Sequence, residues 1–154
     1  MRRLGLTAAG LVALCAIALT LATNGRAKPS LAHTCSATDR QFIQGASVSM
    51  TALGLWAEQY ESGDAKATEV VSEAKREEKI VRGMAPTDPS LEQTRHLMIG
   101  MLAEYARAVE IQQHHRNAGL HMYRAYGLAN YAHSVLEKAQ PALVARGCDL
   151  TDLL

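Results

Sequence analysis

The sequence has few aromatic residues and none of the short motifs that identify common cofactor sites. Its 154 residues include one Trp, one Phe and five Tyr, too few to build a platform on which nucleic-acid bases stack. The motifs CxxC, CxxCH, GxGxxG, GxxxxGK(S/T), GxSxG and HExxH are all absent. Dinucleotide binding, P-loop phosphate binding, covalent haem attachment and HExxH zinc chemistry therefore have no support in the sequence.

The chain also lacks an excess of charge of either sign. It carries 16 Lys and Arg against 15 Asp and Glu, a net charge of +1. Residues 1–27 contain Arg2, Arg3 and Arg26 but no acid, so the remainder has 13 basic and 15 acidic residues and a net charge of −2. A nucleic-acid binder needs a positive face for phosphates, so this balance argues against a nucleic-acid partner.

The first 32 residues have the pattern of an export segment. Two arginines follow Met1, and Leu4 to Thr23 is an uncharged, mostly apolar run. This order is typical of a signal peptide, but a run of about 20 residues also suffices to span a bilayer. Triplets with small outer residues at 20–22, 25–27 and 30–32 offer cleavage sites. We predict a signal peptide or membrane anchor over residues 1–32 and one extracytoplasmic or secreted domain over 33–154.

Two cysteines, Cys35 and Cys148, lie beyond that segment, near the two ends of the predicted domain. In an oxidising compartment such a pair most simply forms one disulfide bond. The alternative is a pair of free, buried thiols. A bridge would close a loop of more than a hundred residues, for which the chain-entropy model gives a stabilisation of about 4–5 kcal/mol.

The rest of the chain predicts four helices. Prolines are confined to positions 86, 89 and 141, and apolar residues recur every three or four positions between them. We expect helices over about 36–62, 65–83, 89–116 and 120–146. Their short connections favour an all-α, up-down-up-down four-helix bundle. In such a bundle the first helix begins and the last helix ends at the same place, beside the predicted disulfide.

The second helix contains a charged run and is followed by a loop that could cover a ligand pocket. The charged run at 73–79, EAKREEK, is typical of a solvated helix face. The second helix is the shortest, so the loop at 83–88 must cover a gap at the disulfide end of the bundle. That loop either packs down on the helices or covers a shallow pocket for a small apolar ligand.

The histidines are the most unusual feature of the sequence. His114 and His115 close the third predicted helix, His121 opens the fourth, and Glu110 lies one turn before His114. Imidazole and carboxylate groups together are ligands for Zn or Cu. The alternative is that these are surface histidines, since a histidine near a helix C-terminus is favoured by the helix dipole without any metal.

Two iron cofactors can be tested against the positions of the histidines. A ferritin-like di-iron site requires Glu-x-x-His pairs, and no histidine here has Glu three positions before it. A b-type haem requires axial ligands on facing helices. Met50 and His133 lie at similar distances from the two cysteines along the chain and would share one level of the bundle. Met50 is equally expected as an ordinary core methionine.

The fourth helix carries a group of amphipathic side chains, Tyr123, Tyr126, Asn130 and Tyr131. They could line a surface for a protein partner. Alternatively, they are half-buried tyrosines whose hydroxyls reach the solvent edge. No Ser, Thr or Cys is linked by sequence to a His and Asp pair, so we predict no catalytic residue.

From Thr38-Asp39-Arg40-Gln41-Phe42-Ile43 through the second helix, the chain resembles small exported helical-bundle families, including ferritin-like ones. The resemblance implies export and an all-α fold. It transfers no functional residue, because Glu77-Glu78-Lys79 stands where such families often carry an Asp-His pair.

The function we expect is non-enzymatic: binding or structural support in the cell envelope or outside the cell, with a protein partner. Membrane contact is expected only through the N-terminal segment, if it is not cleaved. One alternative is a metal-handling bundle that uses His114, His115, His121 and Glu110. A second alternative is a carrier of a small apolar ligand.

Overall fold

The computed structural model describes residues 34–154, and in that range the chain forms four α-helices and no β-strand. These are α1 (Ala37–Ser62), α2 (Ala67–Arg82), α3 (Pro89–Gln113) and α4 (Gly119–Ala145). The all-α prediction is therefore confirmed. None of these four helices is long and apolar enough to cross a membrane. The predicted signal or anchor segment lies outside the described residues.

The helix ends follow from local chemistry. Ser36 caps α1, because its hydroxyl accepts a hydrogen bond from the Asp39 N–H at 3.0 Å. Asp88 caps α3 by accepting from the N–H groups of Ser90 and Leu91 at 2.8 and 3.2 Å. Gly63 ends α1 with φ 85°, a left-handed conformation that favours glycine.

Helix α3 is the central element of the packing. It lies against α2 on one side and α4 on the other, while α1 packs mainly on α2 and approaches α3 only locally. Within residues 34–154, no Cα atom of α1 comes within 8 Å of a Cα atom of α4. The backbones of the two outer helices are therefore farther from each other than from their neighbours, and α3 packs against both.

Two apolar clusters hold these helices together. The larger one extends from the disulfide along the helices and includes the fully buried side chains of Phe42, Leu91, Leu102 and Leu143. Complete burial of one such side chain contributes about 1.5–3 kcal/mol. The smaller one lies where α2 and α3 meet and is covered by partly buried aromatic side chains; it consists of Ala65, Val70, Val71 and Val109, with Trp56, Tyr60 and Tyr105 packed against it.

A disulfide joins Cys35 to Cys148, as predicted, with their Cα atoms 5.1 Å apart. The Cys35 N–H also donates to the Arg146 carbonyl oxygen at 2.7 Å. Cys35, two residues before α1, is thus tied to the segment that follows α4 by a covalent bond and by a backbone hydrogen bond.

The loop at 83–88 packs against α1 at this end of the molecule. The buried Asp39 carboxylate accepts hydrogen bonds from the N–H groups of Thr87 and Asp88 at 2.7 and 3.0 Å. Met84 lies so close to α1 that a Cβ atom added to Gly45 would be 2.2 Å from its methyl group. Asp88 also pairs with the guanidinium of Arg146. Of the two expectations for this loop, the packed one agrees with these contacts.

The expectation for the charged run of α2 is met only in part. Lys75, Arg76 and Lys79 are exposed, as a solvated face requires, but the side chain of Glu77 is buried. Arg76 contacts the Glu77 carboxylate at 2.8 Å and supplies an opposite charge. The reason is geometric: seven consecutive residues cover nearly two helical turns, so some of them must face the neighbouring helix.

Candidate functional site

A cavity of about 210 Å³ occupies the gap between α1 and α4. We call this space, with α3 as its floor and the C-terminal segment 149–154 at one end, the cleft. Its lining is mostly apolar and comes from all of these elements: Met50, Thr94, Met98, Met101, Ala129, Ala132, His133, Leu136, Asp152 and Leu153.

The cleft arises from helical periodicity and from residue size. On α3, Thr94, Met98 and Met101 recur at intervals of four and three and therefore share one face. On α4, Ala129 and Ala132 lie on the face that borders the cleft. Because alanine side chains are short and α1 stays away from α4, this part of the interior is left unfilled.

Few polar groups line the cleft. The Thr94 hydroxyl donates to the Ser90 carbonyl oxygen at 2.8 Å, so its hydrogen is used within α3. The side chain of His133 is 49% exposed, and its Nε2 atom lies 3.3 Å from a carboxylate oxygen of Glu137. Asp152 borders the cleft from the C-terminal segment. The remaining heteroatoms of the lining side chains are the three methionine sulfur atoms.

The C-terminal segment closes one end of the cleft. Leu150 is buried in the main core, and Leu153 packs against it. Cys148 directly precedes this segment and is held by the disulfide and by a hydrogen bond from its N–H to the Leu143 carbonyl oxygen at 3.0 Å. The disulfide therefore anchors the segment that borders the cleft.

The residues predicted as metal ligands lie at the α3–α4 connection, which we call the histidine tip. Glu110, His114 and His121 line one open surface depression there, whereas His115 is not part of its lining. His121 contacts a carboxylate oxygen of Glu104 at 2.6 Å through Nδ1.

The other residues of the histidine tip are not arranged as a set of metal ligands. The Lys75 ammonium contacts the Glu110 carboxylate at 2.6 Å. No group of three His, Cys, Asp or Glu side chains in residues 34–154 is arranged to hold a metal ion. Metal binding at the tip stays a prediction.

The amphipathic residues of α4 form an exposed surface, which we call the tyrosine face (Tyr123, Tyr126, Asn130 and Tyr131). Tyr123 and Tyr126 are 77% and 69% exposed, so the interpretation of them as half-buried is wrong. The Tyr131 hydroxyl accepts from the Gln93 amide at 3.3 Å. A Cβ atom added to Gly127 would meet no atom within 4 Å, so the backbone there is open.

The sequence analysis singled out two residues of the cleft, but it did not predict the cleft itself. It placed Met50 and His133 at one level of the bundle, and the structure brings both into the lining of one cavity. Met98 and Met101 belong to the apolar repeat of the third predicted helix, which indicates only that they face inward. The Met-x-x-Met spacing on α3 was the available signal, because residues three apart on a helix share a face.

No protein-family model, curated protein or solved structure matches the chain. The resemblance to small exported helical bundles stays a hypothesis based on the residues quoted above.

Proposed function

We propose that this protein is an exported, non-enzymatic binding protein that holds a small ligand in the cleft. The basic start and apolar run of residues 2–23 support export. The disulfide supports an oxidising compartment such as the cell envelope or the extracellular space. Short connections and a disulfide between the two ends of the domain support up-down-up-down topology.

The separation of α1 from α4 is the observation that carries the proposal. Helical domains of this size fill their interiors nearly to crystal density. Here an apolar space of about 210 Å³ remains between two helices whose Cα atoms are all more than 8 Å apart. An apolar cavity of about 150 Å³ is already large enough to hold benzene. A small ligand would supply the contacts that the lining lacks.

The test compares ligand uptake by a variant with a filled cleft and by a matched control. Ala129→Leu adds three carbons to a partly buried residue of the lining, whereas Ala103→Leu makes the same change at an exposed position of α3. Toluene binding, measured by ligand-observed NMR, should weaken at least about tenfold in Ala129→Leu, a loss of about 1.4 kcal/mol. The control should bind like the wild type. Equal binding by all three proteins would contradict the proposal, and binding by none would exclude an apolar ligand.

The tyrosine face favours a second candidate function, association of the protein with another copy of itself. Tyr123, Tyr126 and Asn130 are exposed and uncharged, so two copies of this face can meet without like charges opposing each other. Sedimentation equilibrium should show a dimer that Tyr123→Ser with Tyr126→Ser converts to a monomer. If the wild-type protein is still monomeric at about 100 μM, a dimer with a micromolar dissociation constant is excluded, and with it this function.

A further inference from the structure

We infer that the ligand of the cleft is a soft monovalent cation, Cu(I), bound by the thioethers of Met50, Met98 and Met101 and by the imidazole of His133, an assignment that depends on the proposed binding function of the cleft. The chain has six methionines, and three of them line this single cavity. The histidine tip shares no residue with this site.

The donor atoms select the class of cation. Thioether sulfur is a soft, uncharged ligand that suits Cu(I), whereas Ca²⁺ and Mg²⁺ prefer oxygen, and imidazole is accepted by copper as well. Cys35 and Cys148 are bonded to each other, so in residues 34–154 no thiolate competes with the thioethers. Methionine does not titrate, so these three ligands remain available at low pH.

The fold brings the donors from three sides. Met98 and Met101 are 4% and 5% exposed and one turn apart on α3, so the floor of the cleft is where two sulfur ligands are held by packing. Met50 belongs to α1 and His133 to α4, the two walls of the cleft. Side chains with soft donor atoms thus reach the lining of one space from three separately packed helices.

Two carboxylates complete the surroundings. Glu137 lies 3.3 Å from His133 Nε2, and a carboxylate on one imidazole nitrogen orients the ring and leaves the other nitrogen as the metal ligand. The nitrogen left over here is Nδ1. Asp152 borders the cavity and places a negative charge near the site of the monovalent cation.

The size of the cavity argues against the larger cofactor considered for Met50 and His133. Pockets for drug-sized ligands have volumes of about 300–1,000 Å³. The cleft, at about 210 Å³, is smaller than this range. A single ion needs less space than this, whereas a porphyrin needs more.

The experiment is an anaerobic titration of the purified, disulfide-intact protein with Cu(I) in competition with the chromophoric chelator bathocuproine disulfonate. The wild type should withdraw one equivalent of Cu(I). Met98→Leu with Met101→Leu keeps the core volume nearly constant and should weaken Cu(I) binding at least about 100-fold, or about 2.7 kcal/mol. Met84→Leu with Met122→Leu changes two methionines outside this cavity and should bind like the wild type.

Two further measurements test whether the variants are folded and where the metal binds, independently of the measured affinity. Circular dichroism melting must show that the Leu variants remain folded. X-ray absorption of the Cu(I) complex should show sulfur neighbours that are lost in Met98→Leu with Met101→Leu. A triple His114→Ala, His115→Ala, His121→Ala variant should retain Cu(I), and loss of binding there would overturn the inference in favour of the histidine tip.

The results also distinguish a wrong ligand assignment from a wrong proposed function. If the wild type withdraws no Cu(I), or the Leu variants retain it, the Cu(I) assignment is wrong. If toluene then still binds and Ala129→Leu prevents it, the cleft is a site for an apolar ligand and the proposed function stands. If neither Cu(I) nor toluene binds, both proposals fail.

Discussion

Ser49 places a hydroxyl in the apolar interior of the domain. The residue is 1% exposed, and its Oγ atom has no hydrogen-bond partner in the part of the chain that the structure describes. An unsatisfied buried hydroxyl costs about 1–3 kcal/mol, and serine is also a weaker helix former than alanine. Ser49 therefore lowers the stability of α1.

We expect Ser49→Ala to raise the free energy of unfolding by about 1 kcal/mol, measured by urea denaturation. The control is Ser72→Ala, the same change at an exposed position of α2, where the effect should stay within about 0.5 kcal/mol. A loss of stability in Ser49→Ala would mean that the hydroxyl makes a favourable interaction in solution.

His115 is the only described residue other than glycine with a positive φ, at 55°. The left-handed conformation costs an L-residue about 1–2 kcal/mol relative to glycine. His115→Gly should therefore raise stability by about 0.5–1 kcal/mol, since added freedom in the unfolded chain offsets part of the gain. His114 has φ −92°, so His114→Gly should lower stability. Thermal unfolding of the two variants should show shifts of opposite sign.

At the scale of elements, two aspartates connect the beginning of α1, the 83–88 loop and the end of α4. Burial raises the pKa of Asp39, but hydrogen bonds from Asp88, Ser36 and Thr87 outweigh this and hold the pKa below its ordinary value. Burial likewise raises the pKa of Asp88, and its hydrogen bonds with Arg146 and with the start of α3 outweigh this, so that pKa is lowered too.

These lowered pKa values fix the direction of the pH dependence. A carboxylate with a lower pKa in the folded state contributes stability above its unfolded pKa of about 3.9, and that contribution disappears as the pH falls through the folded pKa. The free energy of unfolding should therefore decrease steeply below about pH 4. At neutral pH, Asp39→Asn should cost about 1.5–3 kcal/mol, because hydrogen bonds to a charged acceptor are lost.

The comparison of Asp39→Asn with the wild type tests this account across pH. The difference in unfolding free energy should be constant at neutral pH and should shrink below about pH 4, where the wild-type carboxylate is also protonated. Asp64→Asn, at an exposed position in the α1–α2 connection, should change stability by less than about 0.5 kcal/mol. A difference that persists unchanged at pH 2 would contradict the assigned role of the charge.

At the scale of the whole molecule, the disulfide links residues 113 positions apart. The chain-entropy model gives it a stabilisation of about 4–5 kcal/mol. Cys35→Ser and Cys148→Ser should therefore lower the melting temperature by roughly 10 °C or more, and by similar amounts, because each removes the same bond. The double variant should melt close to the single ones. Unequal shifts, or none, would mean that the bond does not contribute in this way.

The helices were predictable because their determinants are local. Asp88 followed by Pro89, the glycine at position 63 and the three–four spacing of apolar residues act within a few residues of the chain. The disulfide was also predictable, since Cys35 and Cys148 are the two cysteines beyond the predicted export segment and have one possible pairing. The burial of Glu77 was not, because it depends on which side of α2 meets another helix.

The sequence by itself determined that residues 34–154 form four helices and that Cys35 and Cys148 can meet, because helix caps, apolar periodicity and the number of cysteines can be read directly from the residues. The tertiary structure alone decided that no Cα atom of α1 comes within 8 Å of a Cα atom of α4 and that three methionines and His133 line one cleft. A helical pattern shows which face is apolar but not which neighbour that face will meet. The cleft depends on the spacing of α1 and α4 across α3, and no local pattern in the sequence encodes that spacing.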